Sequence, residues 1–130
     1  MRLNQVTMPM LDYDASVAFY TALGLKLIVA SAPRYARFEC PDADAGEPAT
    51  LSIEKVDDYA GGAWPEVFLE VDDLAATVAR LRKAGIQVSD PIDQSWLWSE
   101  AELRDPAGTR IKLYTSGKNR RFPPWRVKAD

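Results

Sequence analysis

Residues 66–85 read EVFLEVDDLAATVARLRKAG, and the fold prediction for the whole chain starts from this stretch. Residues 66–71 are rich in β-branched and other apolar side chains, which predicts a strand. A helix is predicted to follow, because Asp72 or Asp73 can cap its N-terminus and Gly85 can end it in the left-handed conformation. The stretch therefore encodes a strand joined directly to a helix.

A second stretch repeats this design. Residues 5–24 read QVTMPMLDYDASVAFYTALG and match it when the chain is shifted so that residue 5 falls on residue 66. Caps and core positions then align in one register, as Gln5/Glu66, Val6/Val67, Met8/Leu69, Met10/Val71, Asp12/Asp73, Val17/Val78, Ala18/Ala79 and Gly24/Gly85. Within the first helix, Asp14 is the predicted N-cap. So many matches in one frame indicate an internal duplication.

Three further strands are predicted after each helix, because short apolar runs alternate with turn-forming breaks. The predicted strand segments are 24–31, 34–40, 49–56, 86–92, 95–104 and 108–115. Pro33 and the acidic stretch 41–48 separate those of the first half. Each half thus reads β-α-β-β-β, an α+β architecture. The predicted organisation is one structural domain with a first module (1–58), a linker (59–65), a second module (66–116) and a basic C-terminal tail (117–130).

Residues 104–109, RDPAGT, predict a hairpin loop near the end of the second module. Pro106 suits the start of a type I turn, and Gly108 suits the left-handed position that closes a three-residue loop. Asp105 is then opposite Thr109. This turn sets the register of the last two strands.

Counting back from that turn pairs apolar with apolar and polar with polar residues, and it places Lys112 directly opposite Glu102. Two readings of Lys112 stay open: a solvated cross-strand ion pair, or a lysine inside a binding site. If the strand is unbroken, the same face also carries Trp96, Trp98, Glu100, Glu102, Arg104 and Tyr114. For the two tryptophans, core packing and stacking on an aromatic or cationic ligand are both open readings.

Composition excludes several function classes. The chain has no His and a single cysteine, Cys40, so the commonest transition-metal ligand is absent and no internal disulfide can form. No apolar run is long enough for a membrane span, and the N-terminus shows no secretory signal. The formal net charge of −3 argues against a nucleic-acid binder. These features predict a cytoplasmic protein that contacts neither nucleic acid nor membrane.

Positive charge is concentrated at the C-terminal end. Residues 118–130 hold five Lys or Arg and one Asp, a net charge of +4, so the rest of the chain carries −7. Aromatic and proline residues, FPPW at 122–125, interrupt these charges. The favoured interpretation is a strap that docks on the acidic body or on a partner subunit, and the alternative is contact with an anionic ligand or nucleic acid.

Four features occur together in this chain. They are the two β-α-β-β-β modules, a Ser-x-x-Phe-Tyr-x-x-Leu-Gly helix (Ser16 to Gly24), Glu-Val-Asp-Asp-Leu (Glu70 to Leu74) and Asp-Pro-x-Gly (Asp105 to Gly108). This set resembles the vicinal oxygen chelate superfamily, which includes glyoxalase I, bleomycin-resistance proteins and extradiol dioxygenases. The resemblance covers about residues 1–116. It implies curled sheets whose paired cups enclose a cavity, and a homodimer.

The resemblance also implies ligand positions on the first and last strand of each module, where enzymes of the superfamily hold a divalent metal. The first-strand position, often His and sometimes Gln, holds Gln5, and its repeat partner is Glu66. The last-strand position, usually Glu, holds Lys112 in the second module. In the first module it holds Ser52, and Glu54 follows two residues later on the same face.

This residue set is a poor match to a divalent metal ion. Gln5, Ser52 and Glu66 supply few anionic donors. An ammonium group at Lys112 would repel a divalent ion about 4 Å away by several kcal/mol, even at an effective dielectric constant near 20. We therefore expect no metal cofactor, with Lys112 paired to Glu66 in its place.

Three functions from different classes remain open. The first is metal-free binding of a small anionic or aromatic molecule, as in antibiotic sequestration. Its expected ligand-binding residues are Gln5, Arg37, Ser52, Glu54, Glu66, Trp96, Trp98, Glu102, Lys112 and Tyr114. The second is a metal-dependent lyase, isomerase or dioxygenase that uses Gln5, Glu54 and Glu66. The third is an interaction module whose basic tail, Lys118 to Lys128, engages a partner.

Arg37 belongs to this set through strand alternation. Tyr35, Arg37 and Glu39 point to one face of a predicted strand, and a guanidinium can bind a ligand carboxylate through two parallel hydrogen bonds. A position on the solvated surface is the alternative reading.

Overall fold

The computed structural model describes residues 1–41 and 47–128. The first module contains β1 (Gln5–Met10), α1 (Tyr13–Leu23), β2 (Lys26–Ser31), β3 (Tyr35–Glu39) and β4 (Thr50–Lys55). The second contains β5 (Val67–Glu70), α2 (Leu74–Lys83), β6 (Ile92–Asp93), β7 (Ser99–Arg104) and β8 (Arg110–Thr115). Most of the predicted break at 41–48 lies outside the described residues. Among those described, no helix is long and apolar enough to cross a membrane.

Both modules arrange their strands in the same order. The first sheet runs β1-β4-β3-β2 and the second β5-β8-β7-β6. In each sheet the first strand of the module lies parallel to its last strand, as β1 beside β4 and β5 beside β8. The α+β prediction of two βαβββ modules is confirmed.

The helix caps correct one detail of the sequence prediction. The side chain of Asp12 caps α1, and that of Asp73 caps α2, each accepting the backbone N–H three residues later at 2.9 Å. The prediction of Asp14 as a cap was wrong, because Asp14 lies within the first turn of α1. Gly24 (φ 106°) and Gly85 (φ 85°) follow the helices in the predicted left-handed conformation.

Strand β7 is shorter than the apolar pattern predicts. It begins at Ser99 rather than at residue 95, because residues 94–98 form a turn in which Leu97 adopts a φ of 68°. Residues 86–91 form no strand either. Hydrogen bonds inside the turn satisfy backbone groups that a longer ladder would have used.

The chain divides into two compact units. The first comprises residues 1–64 together with 104–109, and the second comprises residues 65–103 together with the chain from residue 110 onward. In the first unit, the Tyr20 ring of α1 packs against Phe38 of β3, with ring centroids 5.5 Å apart. The main core side chains are Met8, Met10, Tyr20, Ala36, Phe38, Leu51 and Ile53 in the first unit, and Leu74, Val78, Leu81, Ile111 and Leu113 in the second.

A buried hydrogen bond joins α1 to the Asp-Pro-x-Gly turn within the first unit. The hydroxyl of Tyr20 donates to Asp105 Oδ2 at 2.6 Å. The other carboxylate oxygen accepts the backbone N–H groups of Ala107 at 3.0 Å and Thr109 at 2.8 Å. The turn has its predicted register and its predicted left-handed Gly108. Two sequence motifs that are far apart in the chain are therefore in direct contact.

We expect the free energy of unfolding to fall above about pH 10, the pKa of tyrosine in an unfolded chain. Burial, and then the charge and hydrogen bond of Asp105, raise the pKa of Tyr20 in the folded state. The folded chain keeps a proton that the unfolded chain releases, so this stability is fully present below the unfolded pKa. It is lost at higher pH with a slope of about −1.4 kcal/mol per pH unit for each such proton.

Urea denaturation at a series of alkaline pH values measures this slope. The Tyr20→Phe variant removes the titrating hydroxyl and keeps the ring, so its slope should be shallower by one proton. Equal slopes for the variant and the natural chain would contradict the assignment.

The C-terminal tail continues from β8 through a 3₁₀ turn, Gly117–Arg120. Within the tail, the guanidinium of Arg126 lies over the Phe122 ring, 4.6 Å from its centre. Arg120 Nε lies 3.8 Å from Glu70 Oε2 in a half-exposed ion pair. One basic residue of the tail thus faces a carboxylate of its own unit, as in the strap interpretation.

Candidate functional site

A hydrogen-bonded polar cluster lies on the first sheet. Ser52 is at its centre and fully buried. Its hydroxyl accepts a hydrogen bond from Gln5 Nε2 at 2.6 Å and lies 2.7 Å from the Tyr35 hydroxyl. Arg37 Nε donates to the Tyr35 hydroxyl at 2.8 Å. Three predicted site residues, Gln5, Arg37 and Ser52, are therefore brought together.

The strand register explains this cluster. Arg37 lies opposite Ser52 in the β3–β4 pair, and Gln5 lies opposite Thr50 in the β1–β4 pair, where the Thr50 hydroxyl donates to the Gln5 amide oxygen. Neighbouring residues on a strand point to opposite faces, so these side chains point away from the face that carries Phe38. Glu54 lies on the cluster's face but is exposed, at the edge of the predicted site.

A network of five charged side chains lies on the second sheet. Arg110 contacts two carboxylates, with Nη1 2.9 Å from Glu66 Oε1 and Nε 3.0 Å from Glu102 Oε1. Lys112 Nζ donates to Glu100 Oε1 at 3.1 Å and lies 3.9 Å from Glu66 Oε1. Three carboxylates and two cations leave the network with a net charge of −1.

Lys112 is enclosed by this network. Its side chain is 16% exposed, compared with 4% for Glu100 and 13% for Glu66. The geometry therefore favours the enclosed reading over a solvated ion pair. The sequence register places Glu102 opposite Lys112, yet Lys112 pairs with Glu100 and Glu102 contacts Arg110, because long side chains reach diagonal neighbours across a ladder.

Three aromatic rings pack together on the second sheet, and one of them lies close to Lys112. Trp98 stacks on Tyr114 with ring centroids 4.5 Å apart and an interplanar angle of 17°. Phe68 meets both rings edge-on, at 5.7 Å and 5.8 Å. Phe68 lies opposite Lys112 in the β5–β8 pair, and Lys112 Nζ is 5.7 Å from the centre of the Phe68 ring. The second sheet thus combines charged groups with aromatic surface.

Trp96 reaches the charged network from the turn before β7, and Trp98 reaches the neighbouring aromatic rings from the same turn. The prediction that an unbroken strand carries both was wrong, because β7 begins after them. Trp96 Nε1 nevertheless donates to Glu100 Oε2 at 2.8 Å, which fixes the indole beside the charges. Trp96 is 41% exposed and Phe68 is 38% exposed, so both residues are accessible to a ligand.

The surroundings fix two protonation states. Contact with Glu102 is the main cause that raises the pKa of Arg110, and Glu66 and Glu100 act in the same direction. Burial raises the pKa of Tyr114, and Glu70, its partner opposite on β5, adds to the rise. Arg110 therefore stays a cation and Tyr114 a neutral phenol near pH 7, and neither is suited to act as a general base.

The residues present do not fit a divalent metal ion. The position at which the resemblance implies a carboxylate ligand holds Lys112, and a +2 ion beside its ammonium would be strongly repelled. Gln5 and Ser52 are neutral and are engaged with each other. Within residues 1–41 and 47–128, no three His, Cys, Asp or Glu side chains group as metal ligands.

Phe68, Arg110 and Tyr35 were absent from the predicted ligand-binding set. Arg110 could have been found once β5 and β8 are known to be parallel, because the Phe68–Lys112 pairing extended by two residues places Arg110 opposite Glu66. The sequence pattern does not contain that sheet order. For Tyr35, the only indication in the sequence was its alternation with Arg37, which places both side chains on the same face of the predicted strand.

Comparison with known proteins points to one family. The family model described as Glyoxalase/Bleomycin resistance protein/Dioxygenase superfamily matches residues 2–113. Among solved structures, a bleomycin resistance determinant encoded on the transposon Tn5 is similar, with 25% identity, a TM-score of 0.71 and coverage of 90% of this chain and 99% of that one. A bleomycin-binding protein complexed with bleomycin has 25% identity, a TM-score of 0.68 and coverage of 88% and 98%.

A more distant structure shows the fold alone. Lactoylglutathione lyase from Agrobacterium tumefaciens has 20% identity, a TM-score of 0.71 and coverage of 93% of this chain and 97% of that one. No curated protein sequence matches this chain.

Proposed function

The chain belongs to the glyoxalase/bleomycin resistance protein/dioxygenase superfamily, and on that premise we propose that it binds a small aromatic molecule on its second sheet without a metal ion. One observation carries this proposal: the ammonium of Lys112 lies 3.1 Å from Glu100 and 3.9 Å from Glu66. This cation supplies the positive charge that a metal supplies in enzymes of the superfamily. The proposed function is therefore binding, in place of catalysis by a lyase, isomerase or dioxygenase.

The aromatic and charged groups of the second sheet indicate the ligand. Phe68 and Trp96 expose ring surface on which a planar ligand can stack. The network beside them has a net charge of −1, so a positive charge on the ligand is favoured over a negative one. The two similar bleomycin-related structures make bleomycin the first ligand to test, and sequestration of such a drug the proposed role. The expected homodimer stays a prediction.

We expect bleomycin to bind the natural chain in buffer that contains EDTA, and Trp96→Ala to weaken binding about tenfold, since an aromatic pair contributes up to about 1.5 kcal/mol. Isothermal titration calorimetry measures both affinities. The matched control is Trp125→Ala, which removes a tail tryptophan that is 58% exposed and should leave the affinity unchanged.

Two results would count against the proposal. One is binding that disappears with EDTA and returns with a divalent metal. The other is an unchanged unfolding temperature with bleomycin and with a panel of planar aromatic cations.

A further inference from the structure

The Ser52 and Tyr35 hydroxyl groups of the first-sheet cluster carry two protons but share a single hydrogen bond. Gln5 Nε2 donates to Ser52 Oγ, and Arg37 Nε donates to the Tyr35 hydroxyl at 2.8 Å and more weakly to Ser52 Oγ at 3.4 Å, so each hydroxyl oxygen already accepts at least one proton. Only one of the two hydroxyl protons can lie within the 2.7 Å hydrogen bond between Ser52 and Tyr35. The other proton has no acceptor inside the cluster.

Burial decides which residue carries that extra proton. Ser52 is fully buried, and an unshared proton on its hydroxyl would be a buried donor without a partner, which is costly. Tyr35 is only partly buried. Ser52 therefore donates to Tyr35, and the phenol directs its own proton out of the cluster. A hydroxyl whose oxygen accepts two hydrogen bonds is a strengthened donor.

Arg37 adds positive charge beside that proton. Its Nε is fixed on the Tyr35 hydroxyl, which leaves the two Nη groups at the other side of the planar guanidinium. Arg37 forms no ion pair with any carboxylate in the described ranges. The acidic neighbours on its face lie opposite other residues, since Glu39 pairs with Lys26 and Glu54 pairs with Tyr35 in the strand register.

We propose that the first sheet carries a binding site for a small oxyanion, either a carboxylate or a phosphate group, held by the Nη groups of Arg37 and the hydroxyl of Tyr35. A planar guanidinium matches both oxyanions through two parallel hydrogen bonds. The outward phenol proton adds a third donor of the right sign. Both residues that hold the anion lie on β3 of the first sheet.

Titration with sodium phosphate and with sodium acetate at constant ionic strength, followed by ¹H–¹⁵N NMR, tests the site. We expect saturable shifts of the Arg37 Nε–H resonance and of the backbone amides of Tyr35 and Ser52. Arg37→Gln should weaken binding by about tenfold or more, because it removes a charged pair of donors. Arg34→Gln is the matched control, since it makes the same charge change at an exposed position and should leave the shifts intact.

The Tyr35→Phe variant tests the proton assignment separately. It keeps the ring and the charge of Arg37, and it should weaken anion binding by several-fold. An unchanged affinity in Tyr35→Phe would overturn the assigned proton direction. The site itself would be overturned if neither anion produced saturable shifts, or if Arg34→Gln weakened binding as much as Arg37→Gln.

Three comparisons complete the test. Shifts with phosphate alone identify a phosphorylated ligand, and shifts with acetate identify a carboxylate. Bleomycin is titrated into the natural chain in the same buffer, so that both ligands are measured on one protein. If the chain binds bleomycin but neither anion, the oxyanion site is overturned and the proposed function is not. If it binds an anion but not bleomycin, the result counts against the aromatic site.

Discussion

Replacing Asp105 by alanine is expected to lower the free energy of unfolding by about 4 kcal/mol, because three donors lose a buried charged acceptor. The hydroxyl of Tyr20 and the backbone N–H groups of Ala107 and Thr109 all donate to this carboxylate, which is 5% exposed. A domain of this kind has a total stability of about 5–15 kcal/mol, so the loss is a large share of it. Urea denaturation measures the change.

Two variants separate the parts of this effect. Tyr20→Phe removes one donor and leaves the turn bonded to Asp105, so we expect a loss of about 1.5–2 kcal/mol. In the double variant, Tyr20→Phe should cost much less on the Asp105→Ala background, because the residues share one hydrogen bond. Strict additivity would contradict a direct contact, and a loss below about 1 kcal/mol for Asp105→Ala would contradict its role as the acceptor that joins helix and turn.

The Lys112→Glu variant is expected to lose about 3–5 kcal/mol of stability in the presence of a chelator, because a third carboxylate replaces the cation beside Glu66 and buried Glu100. The same change creates a set of carboxylate ligands for a divalent ion. We therefore expect Mn²⁺ or Zn²⁺ to stabilise the variant, by about 2.7 kcal/mol when the free metal is at a hundred times its dissociation constant. Thermal unfolding with and without metal measures the difference.

Matched variants make this result specific. Lys112→Met keeps an unbranched side chain without the charge, so it should lose stability and show no metal response. Lys83→Glu makes the same charge change on the exposed surface of α2 and should change little. The natural chain, purified without a chelator, should contain no stoichiometric Mn, Fe, Ni or Zn. A stoichiometric metal there, or equal stabilisation of all four proteins by metal, would refute the replacement of metal by lysine.

The alignment of residues 5–24 with residues 66–85 predicted the helix caps better than residue type alone did. It aligned Asp12 with Asp73, and both are the observed caps, whereas Asp14 was chosen on its residue type alone. An N-cap residue must adopt a particular backbone geometry at one position. A repeat helps to identify that position, because the same residue type recurs there in both copies. The pattern was less successful at Trp96 and Trp98, where apolar alternation suggested a strand and the backbone forms a turn.

Sequence alone determined the two βαβββ modules, the C-terminal ends of both helices and the Asp105–Thr109 closure of the last hairpin, because these follow from side-chain periodicity and from the backbone preferences of Gly, Pro and Asp, which act locally. Only the tertiary structure decided the partners at the site. Lys112 pairs with Glu100 instead of Glu102, and Arg110 pairs with Glu66. Tyr20 contacts Asp105. These contacts depend on which strands and turns become neighbours. Those neighbours are set by packing between residues distant in the chain, and local patterns carry no record of them.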